Sequence, residues 1–158
     1  VIGTHHQDWT RVVQAGIPKI DLVFLIPTEE GLTKTARGIL PEKLNFPEAV
    51  QAGSVGNVLT AAALTQDWEL VGEMMARDLY HQPYRKQLIP LMDKVISFAE
   101  AEEDIYGAAL SGAGPTILCI TKEGMGAQVA HTLTQAFKGI EVDVLKPAEH
   151  GVKLITKN

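Results

Sequence analysis

Runs of apolar residues predict strands at two well-separated places in the chain. The first, Asp21–Ile26, is dominated by apolar side chains and ends at Pro27, and the second covers 116–121. Short, nearly continuous apolar runs are typical of strands that are buried on both faces. Two further strand candidates contain Val142 and Val144, and the segment Gly-Val-Lys-Leu-Ile-Thr at 151–156.

Apolar residues at helical spacing predict four helices. The first begins near Asn45, whose side chain can accept hydrogen bonds from free amides, and the second begins after Asp67 for the same reason. The clearest helix covers 88–103 and the last covers 125–137, each with apolar residues three or four positions apart. The residues assigned to the buried faces are, helix by helix, Val50, Val58, Leu59, Ala62 and Ala63; Leu70, Val71, Met74 and Met75; Leu88, Leu91, Met92, Val95, Ile96 and Ala99; and Val129, Leu133 and Phe137.

Helices that alternate with a few strands predict an α+β fold. We expect a ferredoxin-like layer of mainly antiparallel sheet with helices packed on it. The segment 28–41 is polar and is predicted as a turn-like connection. No internal repeat, low-complexity tract or linker divides the 158 residues, so the chain is predicted to form one domain, 1–158.

Composition narrows the classes of partner. Fourteen basic residues against nineteen acidic ones give a net charge of −5, and the basic residues are scattered, which argues against binding to nucleic acid or to an anionic membrane surface. Cys119 is the single cysteine and stands between two apolar residues, so we expect a buried thiol and a reduced, cytoplasmic setting. No apolar run is long enough to span a membrane. A small-molecule partner is the class that fits these features.

A glycine-rich loop precedes the second predicted strand. The sequence Ala-Leu-Ser-Gly-Ala-Gly-Pro-Thr-Ile-Leu-Cys-Ile at 109–120 contains Gly112, Gly114 and Pro115 within four positions. Glycines let the backbone approach a ligand and present N–H groups to it. The loop lacks the Gly-Lys-Ser/Thr ending of a Walker loop, and a strand follows where a dinucleotide fingerprint needs a helix. On these residues alone a simple turn before a strand is the commoner interpretation.

Two arginines and three histidines are further candidates. Arg37 and Arg85 both lie close to prolines, and an arginine side chain offers a fork of donors that suits a carboxylate or phosphate; a surface ion pair is the alternative for each. His81 could orient Arg85 or a substrate, or make a structural hydrogen bond. His5 and His6 are adjacent, so on a strand they point to opposite faces, which favours surface histidines over metal ligands.

Three segments, taken in order, resemble the homoserine kinase branch of the GHMP small-molecule kinases. They are Thr-Ala-Arg-Gly-Ile-Leu-Pro-Glu-Lys-Leu at 35–44, the stretch 78–90 that contains His-Gln-Pro-Tyr-Arg, and the stretch 106–121. Within the last, Ser-Gly-Ala-Gly-Pro-Thr is similar to the third motif of the superfamily. The resemblance covers essentially the whole chain but only the C-terminal half of the proteins in that family.

The resemblance implies transfer of the γ-phosphate of ATP to the hydroxyl of L-homoserine, in threonine biosynthesis. By position in the motifs, it assigns Arg37 and Arg85 to the substrate α-carboxylate and Thr33 to the neighbourhood of the substrate hydroxyl. The glycine-rich loop that closes the site is Ser111, Gly112, Ala113 and Gly114.

One family motif is missing from these 158 residues. The phosphate loop Pro-x-x-x-Gly-Leu-x-Ser-Ser-Ala, which in the family holds ATP and Mg²⁺, does not occur. We therefore expect an N-terminal half to be the partner that binds ATP and Mg²⁺, a possible homodimer, and no activity from this chain alone. Two alternatives remain open: a non-catalytic ferredoxin-like module that binds an amino acid and regulates a partner, and another GHMP kinase, such as one acting on mevalonate.

Overall fold

Strands and helices of a mixed α+β fold make up the chain. The computed structural model describes residues 2–28, 32–152 and 155, with the backbone alone for 32–34. The elements are, in order, β1 Ile2–His6, β2 Trp9–Val13, β3 Ile20–Ile26, α1 Leu32–Gly38, α2 Phe46–Thr65, α3 Trp68–Met75, α4 Gln82–Arg85, a 3₁₀ turn Lys86–Leu88, α5 Met92–Ala101, β4 Ile105–Leu110, β5 Ile117–Lys122, α6 Gly126–Ala136 and β6 Glu141–Leu145.

Two antiparallel sheets are present in the described residues. β1 and β2 form a hairpin, and the other strands form a four-stranded sheet in the order β4-β5-β3-β6. Val23 of the central strand β3 pairs with Cys119 of β5 on one side and with Val144 of β6 on the other. The order and the antiparallel pairing are those of a split β-α-β, ferredoxin-like layer, so the predicted fold class is confirmed.

Helices cover both faces of the four-stranded sheet. Alternate residues of a strand point to opposite faces. Accordingly, Val23 and Leu25 pack towards α5 and α6, whereas Ile20 packs towards α2 and α3. Cys119 is fully buried on the first face, and this burial raises the pKa of its thiol to about 12. The predicted burial of Cys119 is therefore confirmed.

The helix predicted over 88–103 is shorter than expected. A 3₁₀ turn ends at Leu88, Ile89 has non-helical backbone angles (φ −131°, ψ 84°), and α5 begins only at Met92. Pro90 explains the break, because a proline disfavours helical geometry in the residue before it and cannot donate an amide hydrogen bond. The predicted inner face is otherwise correct, since Met92, Val95 and Ala99 are all buried.

Two predictions from local pattern are wrong, and three strands were missed. The segment predicted as a turn contains α1, which buries Ala36 almost completely. The strands β1, β2 and β4 were not predicted. In β4 the middle residues are Gly107, Ala108 and Ala109, which are types depleted in strands. In the candidate strand 151–156, Gly151 and Val152 are not in a strand; 153, 154 and 156 lie outside the described residues.

Helix α2 begins as predicted, and its predicted inner face is only partly correct. Asn45 and Glu48 form a reciprocal capping box at its start. Ala52 and Ala62 are buried, whereas Val50 and Val58, both predicted to face inward, are exposed. The helix is apolar around most of its circumference, so periodicity could not select its inner face. What we call the apolar surface consists of exposed side chains of α2 and of the hairpin: Trp9, Val12, Val13, Phe46, Val50, Val58 and Leu64.

Candidate functional site

The turn before α4 is built around one carboxylate. Asp78 accepts hydrogen bonds from the backbone amides of Tyr80 (2.9 Å), His81 (3.1 Å) and Gln82 (2.6 Å). Burial raises the pKa of Asp78, but these amide donors, with His81 nearby, outweigh burial, and the pKa lies below its ordinary value of 3.8. An ionised Asp78 therefore fixes the start of the helix that carries Arg85.

Gln82 joins α4 to the end of strand β4. Its side chain is buried, its Nε2 donates to the Met75 carbonyl oxygen over 3.1 Å, and its Oε1 accepts from the Leu110 amide at 2.8 Å. Leu110 is the last residue of β4 and directly precedes the glycine-rich loop. The start of the loop is thereby tied to α4.

Arg85 brings the three candidate segments together. Its Nε donates to the Ala36 carbonyl oxygen over 3.2 Å, and its Nη1 donates to the Gly112 carbonyl oxygen over 3.0 Å. Ala36 lies in the last turn of α1, where carbonyl groups lack partners within the helix. One side chain thus satisfies two backbone acceptors and connects α1, α4 and the glycine-rich loop.

The glycine-rich loop is a tight turn with positive φ at both glycines. The Ser111 amide donates to the Thr116 carbonyl at 2.9 Å, and the Gly114 amide donates to the Ser111 carbonyl at 3.1 Å. Gly112 has φ +62° and Gly114 has φ +79°. In the described part of the chain, the amides of Gly112 and Ala113 donate no hydrogen bond. The turn therefore has two amides available to an anion.

Arg37 lies in the last turn of α1 and is exposed. Among the described residues, its guanidinium makes no hydrogen bond or ion pair. Ala36 directly precedes Arg37 in the chain. The hydrogen bond from Arg85 to the Ala36 carbonyl oxygen therefore places the backbone next to Arg37 close to the Arg85 side chain. Thr33 has its backbone in the same helix, but its side chain lies outside the described residues.

The histidines take different positions. The Nδ1 of His81 lies 3.7 Å from the Asp78 carboxylate and, within the described chain, has no hydrogen-bond partner. His81 also borders a cavity of about 190 Å³ between α2, α3 and the end of β4. His5 and His6 are exposed on β1, with the His5 ring 2.8 Å from the Thr10 hydroxyl. The described residues contain no group of three or more histidine, cysteine or acidic side chains placed to hold a metal ion.

Sequence reasoning missed Asp78 and Gln82. An aspartate four residues before Gln82-Pro83 is a recognisable turn and capping signal, so Asp78 could have been found. Gln82 gave no such signal, because its partner Leu110 is 28 residues away.

Comparisons with known proteins define the class of this fold and site. The family described as GHMP kinases C terminal matches residues 59–139. The chain therefore belongs to the GHMP kinase family, in its C-terminal domain. Within the part of the chain that the structure describes, no helix has both the length and the apolar character needed to cross a bilayer.

Curated homoserine kinases are similar in sequence to this chain. The chain is 53% identical over 154 residues to the homoserine kinase of Halalkalibacterium halodurans, covering 98% of this chain and 50% of that protein. It is 54% identical over 151 residues to the homoserine kinase of Shouchella clausii, covering 96% of this chain and 51% of that protein. The chain spans about half the length of these curated relatives.

Solved structures of homoserine kinases also resemble this chain. A homoserine kinase from Cytophaga hutchinsonii superposes with a TM-score of 0.76 and 29% identity, covering 88% of this chain and 45% of that one. A putative homoserine kinase from Listeria monocytogenes superposes with a TM-score of 0.75 and 32% identity, covering 92% of this chain and 48% of that one. The resemblance carried by the three sequence segments is confirmed.

Proposed function

We propose that this chain is the substrate-binding part of a kinase that transfers the γ-phosphate of ATP to the hydroxyl of L-homoserine. The observation that carries the proposal is the pair of bonds from Arg85 to Ala36 and Gly112. These bonds gather α1 with Arg37, α4 with Arg85 and the glycine-rich loop around one point. The names of the similar proteins supply the substrate.

Both arginines have donors left for the substrate carboxylate. A guanidinium carries five N–H groups, and Arg85 uses two of them for backbone carbonyls. The remaining N–H groups of Arg85 and the exposed side chain of Arg37 bind the homoserine α-carboxylate through charge-assisted hydrogen bonds. The hydroxyl to be phosphorylated is then directed towards the neighbourhood of Thr33, an assignment that rests on the sequence resemblance.

The glycine-rich loop provides a place for the transferring phosphate. The free amides of Gly112 and Ala113 suit phosphate oxygens, and the absence of side chains at Gly112 and Gly114 allows close approach. ATP supplies the phosphoryl group when it is bound. Phosphoryl transfer depends mainly on positioning and on charge stabilisation, which are the contributions a rigid loop and two arginines make.

We assign the binding of Mg²⁺ and most of the nucleotide to a second half of the kinase. The described residues gather no set of metal ligands, and the relatives are about twice as long as this chain. We assign contact with that half to the apolar surface, because its members include large apolar side chains, such as Trp9 and Phe46, that are exposed in this chain.

A reconstitution experiment tests the proposal. The chain is mixed with, or joined to, the N-terminal half of the Halalkalibacterium halodurans homoserine kinase, and ADP release is measured with ATP, Mg²⁺ and L-homoserine. We expect homoserine-dependent turnover from the mixture and none from either half alone, with the intact relative as the positive control.

Substrate controls separate the alternatives. Equal turnover with mevalonate contradicts the homoserine assignment and favours another GHMP kinase. Saturable homoserine binding by calorimetry without turnover in the mixture favours a regulatory amino-acid-binding module. Turnover by the chain alone overturns the assignment of the nucleotide to the other half.

A further inference from the structure

Gln82 is buried, and both the nitrogen and the oxygen of its side-chain amide form hydrogen bonds. Its Nε2 donates to the Met75 carbonyl and its Oε1 accepts from the Leu110 amide. If the amide were reversed, its NH₂ group would face the Leu110 N–H and its oxygen would face the Met75 carbonyl oxygen. Only one orientation therefore satisfies both contacts. Because Gln82 is buried, loss of either bond leaves an unpaired backbone group away from water.

Gln82 and Arg85 act on the same loop from one short helix. They are three residues apart in α4 and so lie on the same side of it. Gln82 bonds the last residue of β4, and Arg85 bonds the carbonyl of Gly112, two residues further on. The helix therefore holds the loop both at its start and in its middle.

Neither bond can set the loop position alone. A hydrogen bond to Gly112 fixes one carbonyl, but the chain can pivot about it unless a second point is held. The Leu110 amide is that second point, and it also sets where β4 ends relative to α4. Asp78 fixes the first turn of α4, so the helix is anchored before it reaches the loop.

We propose that Gln82 is a positioning residue for phosphoryl transfer: its bond to the Leu110 amide sets the distance between the Arg85 guanidinium and the glycine-rich loop. The inference rests on the proposed function for its kinetic consequence, but the hydrogen bond itself can be tested without activity. Gln82 touches neither substrate nor nucleotide in this role; it acts through Arg85 and through the loop.

Two variants and a matched control test the inference. Gln82→Met keeps the length of the side chain and removes both bonds, whereas Gln82→Glu keeps an acceptor for the Leu110 amide. Gln87→Met is the control, because Gln87 is an exposed glutamine of the same segment whose amide makes one long bond of 3.5 Å to the Pro83 carbonyl. The first readout is amide hydrogen exchange of this chain.

We expect a protected Leu110 amide in the unsubstituted chain and about tenfold or greater loss of protection at Leu110 in Gln82→Met. Gln87→Met should leave it unchanged. A fast-exchanging Leu110 amide in the unsubstituted chain overturns the inference, whether or not Gln82→Met folds.

The second readout is kinetic and uses the reconstituted kinase. In Gln82→Met, kcat/KM for homoserine should fall about 10- to 100-fold with KM for ATP within about twofold, because the lost bond misplaces the arginine and the loop but leaves intact the contacts that the second half makes with most of the nucleotide. Gln82→Glu should recover at least half of this loss on a logarithmic scale. A merely structural role would lower the melting temperature and leave the kinetic constants of the folded protein unchanged.

The outcomes separate the two proposals. If the unsubstituted mixture is inactive while Leu110 loses protection in Gln82→Met, the proposed function fails and the positioning contact stands. If the mixture is active but Gln82→Met matches Gln87→Met in kcat/KM, the positioning role is wrong and the proposed function stands.

Discussion

The Nη1 of Arg85 lies 3.0 Å from the Gly112 carbonyl oxygen, although 27 residues separate the two in sequence. The same guanidinium reaches Ala36, 49 residues earlier in the chain. A charged donor between two backbone acceptors holds three segments in one arrangement and makes stronger hydrogen bonds than a neutral donor does. The position of the glycine-rich loop therefore depends on α4.

Replacing either candidate carboxylate-binding arginine should weaken homoserine binding selectively. In the reconstituted kinase, Arg37→Ala or Arg85→Ala removes a charge-assisted contact of about 1.5–3 kcal/mol, so KM for homoserine should rise about 10- to 150-fold. KM for ATP should change far less. Arg77→Ala is the matched control, because Arg77 forms an exposed ion pair with Glu73. Steady-state kinetics in both substrates give the answer, and equal changes in the two KM values would contradict the assignment.

The two loop glycines should respond differently to a methyl group. A Cβ at Gly112 meets nothing within 4 Å, so Gly112→Ala should cost only the positive-φ penalty of about 1–2 kcal/mol in the free energy of unfolding. A Cβ at Gly114 would lie 2.6 Å from Cδ1 of the buried Ile89. Gly114→Ala should therefore destabilise the chain more than Gly112→Ala.

A double-mutant cycle isolates the contact at Gly114. Ile89→Val deletes the Cδ1 methyl, so Gly114→Ala should cost less in the Ile89→Val background than in the original sequence, approaching the cost of Gly112→Ala. The free energies of unfolding come from urea denaturation of the four chains. Additive effects would mean that Ile89 does not limit space at the loop.

Gly72 permits the close approach of α3 to β4. A Cβ there would lie 1.6 Å from the Tyr106 carbonyl oxygen, a backbone atom that cannot move without shifting the strand. Gly72→Ala should destabilise the chain by about 3 kcal/mol or more. Gly53→Ala is the control: Gly53 lies in α2 with nothing within 4 Å of its Cβ position, and the change should stabilise the helix by about 0.5–1 kcal/mol. Similar effects in thermal denaturation would refute the close packing.

Asp78 should make stability depend on acid pH. Its folded-state pKa lies below the ordinary 3.8, so its contribution is fully present above the unfolded pKa and is lost as the pH falls through the folded value. At pH 7 Asp78→Asn should lower the free energy of unfolding by about 1 kcal/mol, because it removes the charge that strengthens the hydrogen bonds from the three backbone amides. The difference should shrink steadily below pH 3.8.

The control for Asp78 is Asp93→Asn. The Asp93 carboxylate is exposed and lies 3.2 Å from Lys86 Nζ, a surface pair of the kind that contributes roughly 0–1 kcal/mol. Urea denaturation between pH 2 and pH 7 compares the two variants. An effect of Asp78→Asn that is constant over this range would show that its charge does not hold the turn.

The sequence by itself determined the elements whose signals are local. The apolar run before Pro27 predicted β3, Asn45 and Asp67 predicted the starts of α2 and α3, and Cys119 was expected to be buried. In each case the structure of the element depends on residues close together in the sequence or on the polarity of a single side chain. The three segments also predicted the family, because motif order is a property of the chain and not of its folding.

Only the tertiary structure decided how the site is assembled. Ala36 of α1 is buried by tertiary packing, and α2 is apolar on too many sides for its pattern to exclude Val50 and Val58 from the inner face. The roles of Gln82 and Arg85 depend on partners 28 and 27 residues away. Hydrogen bonds between distant segments leave no periodic trace in a sequence, since their geometry exists only after the sheet has brought the end of β4 beside α4.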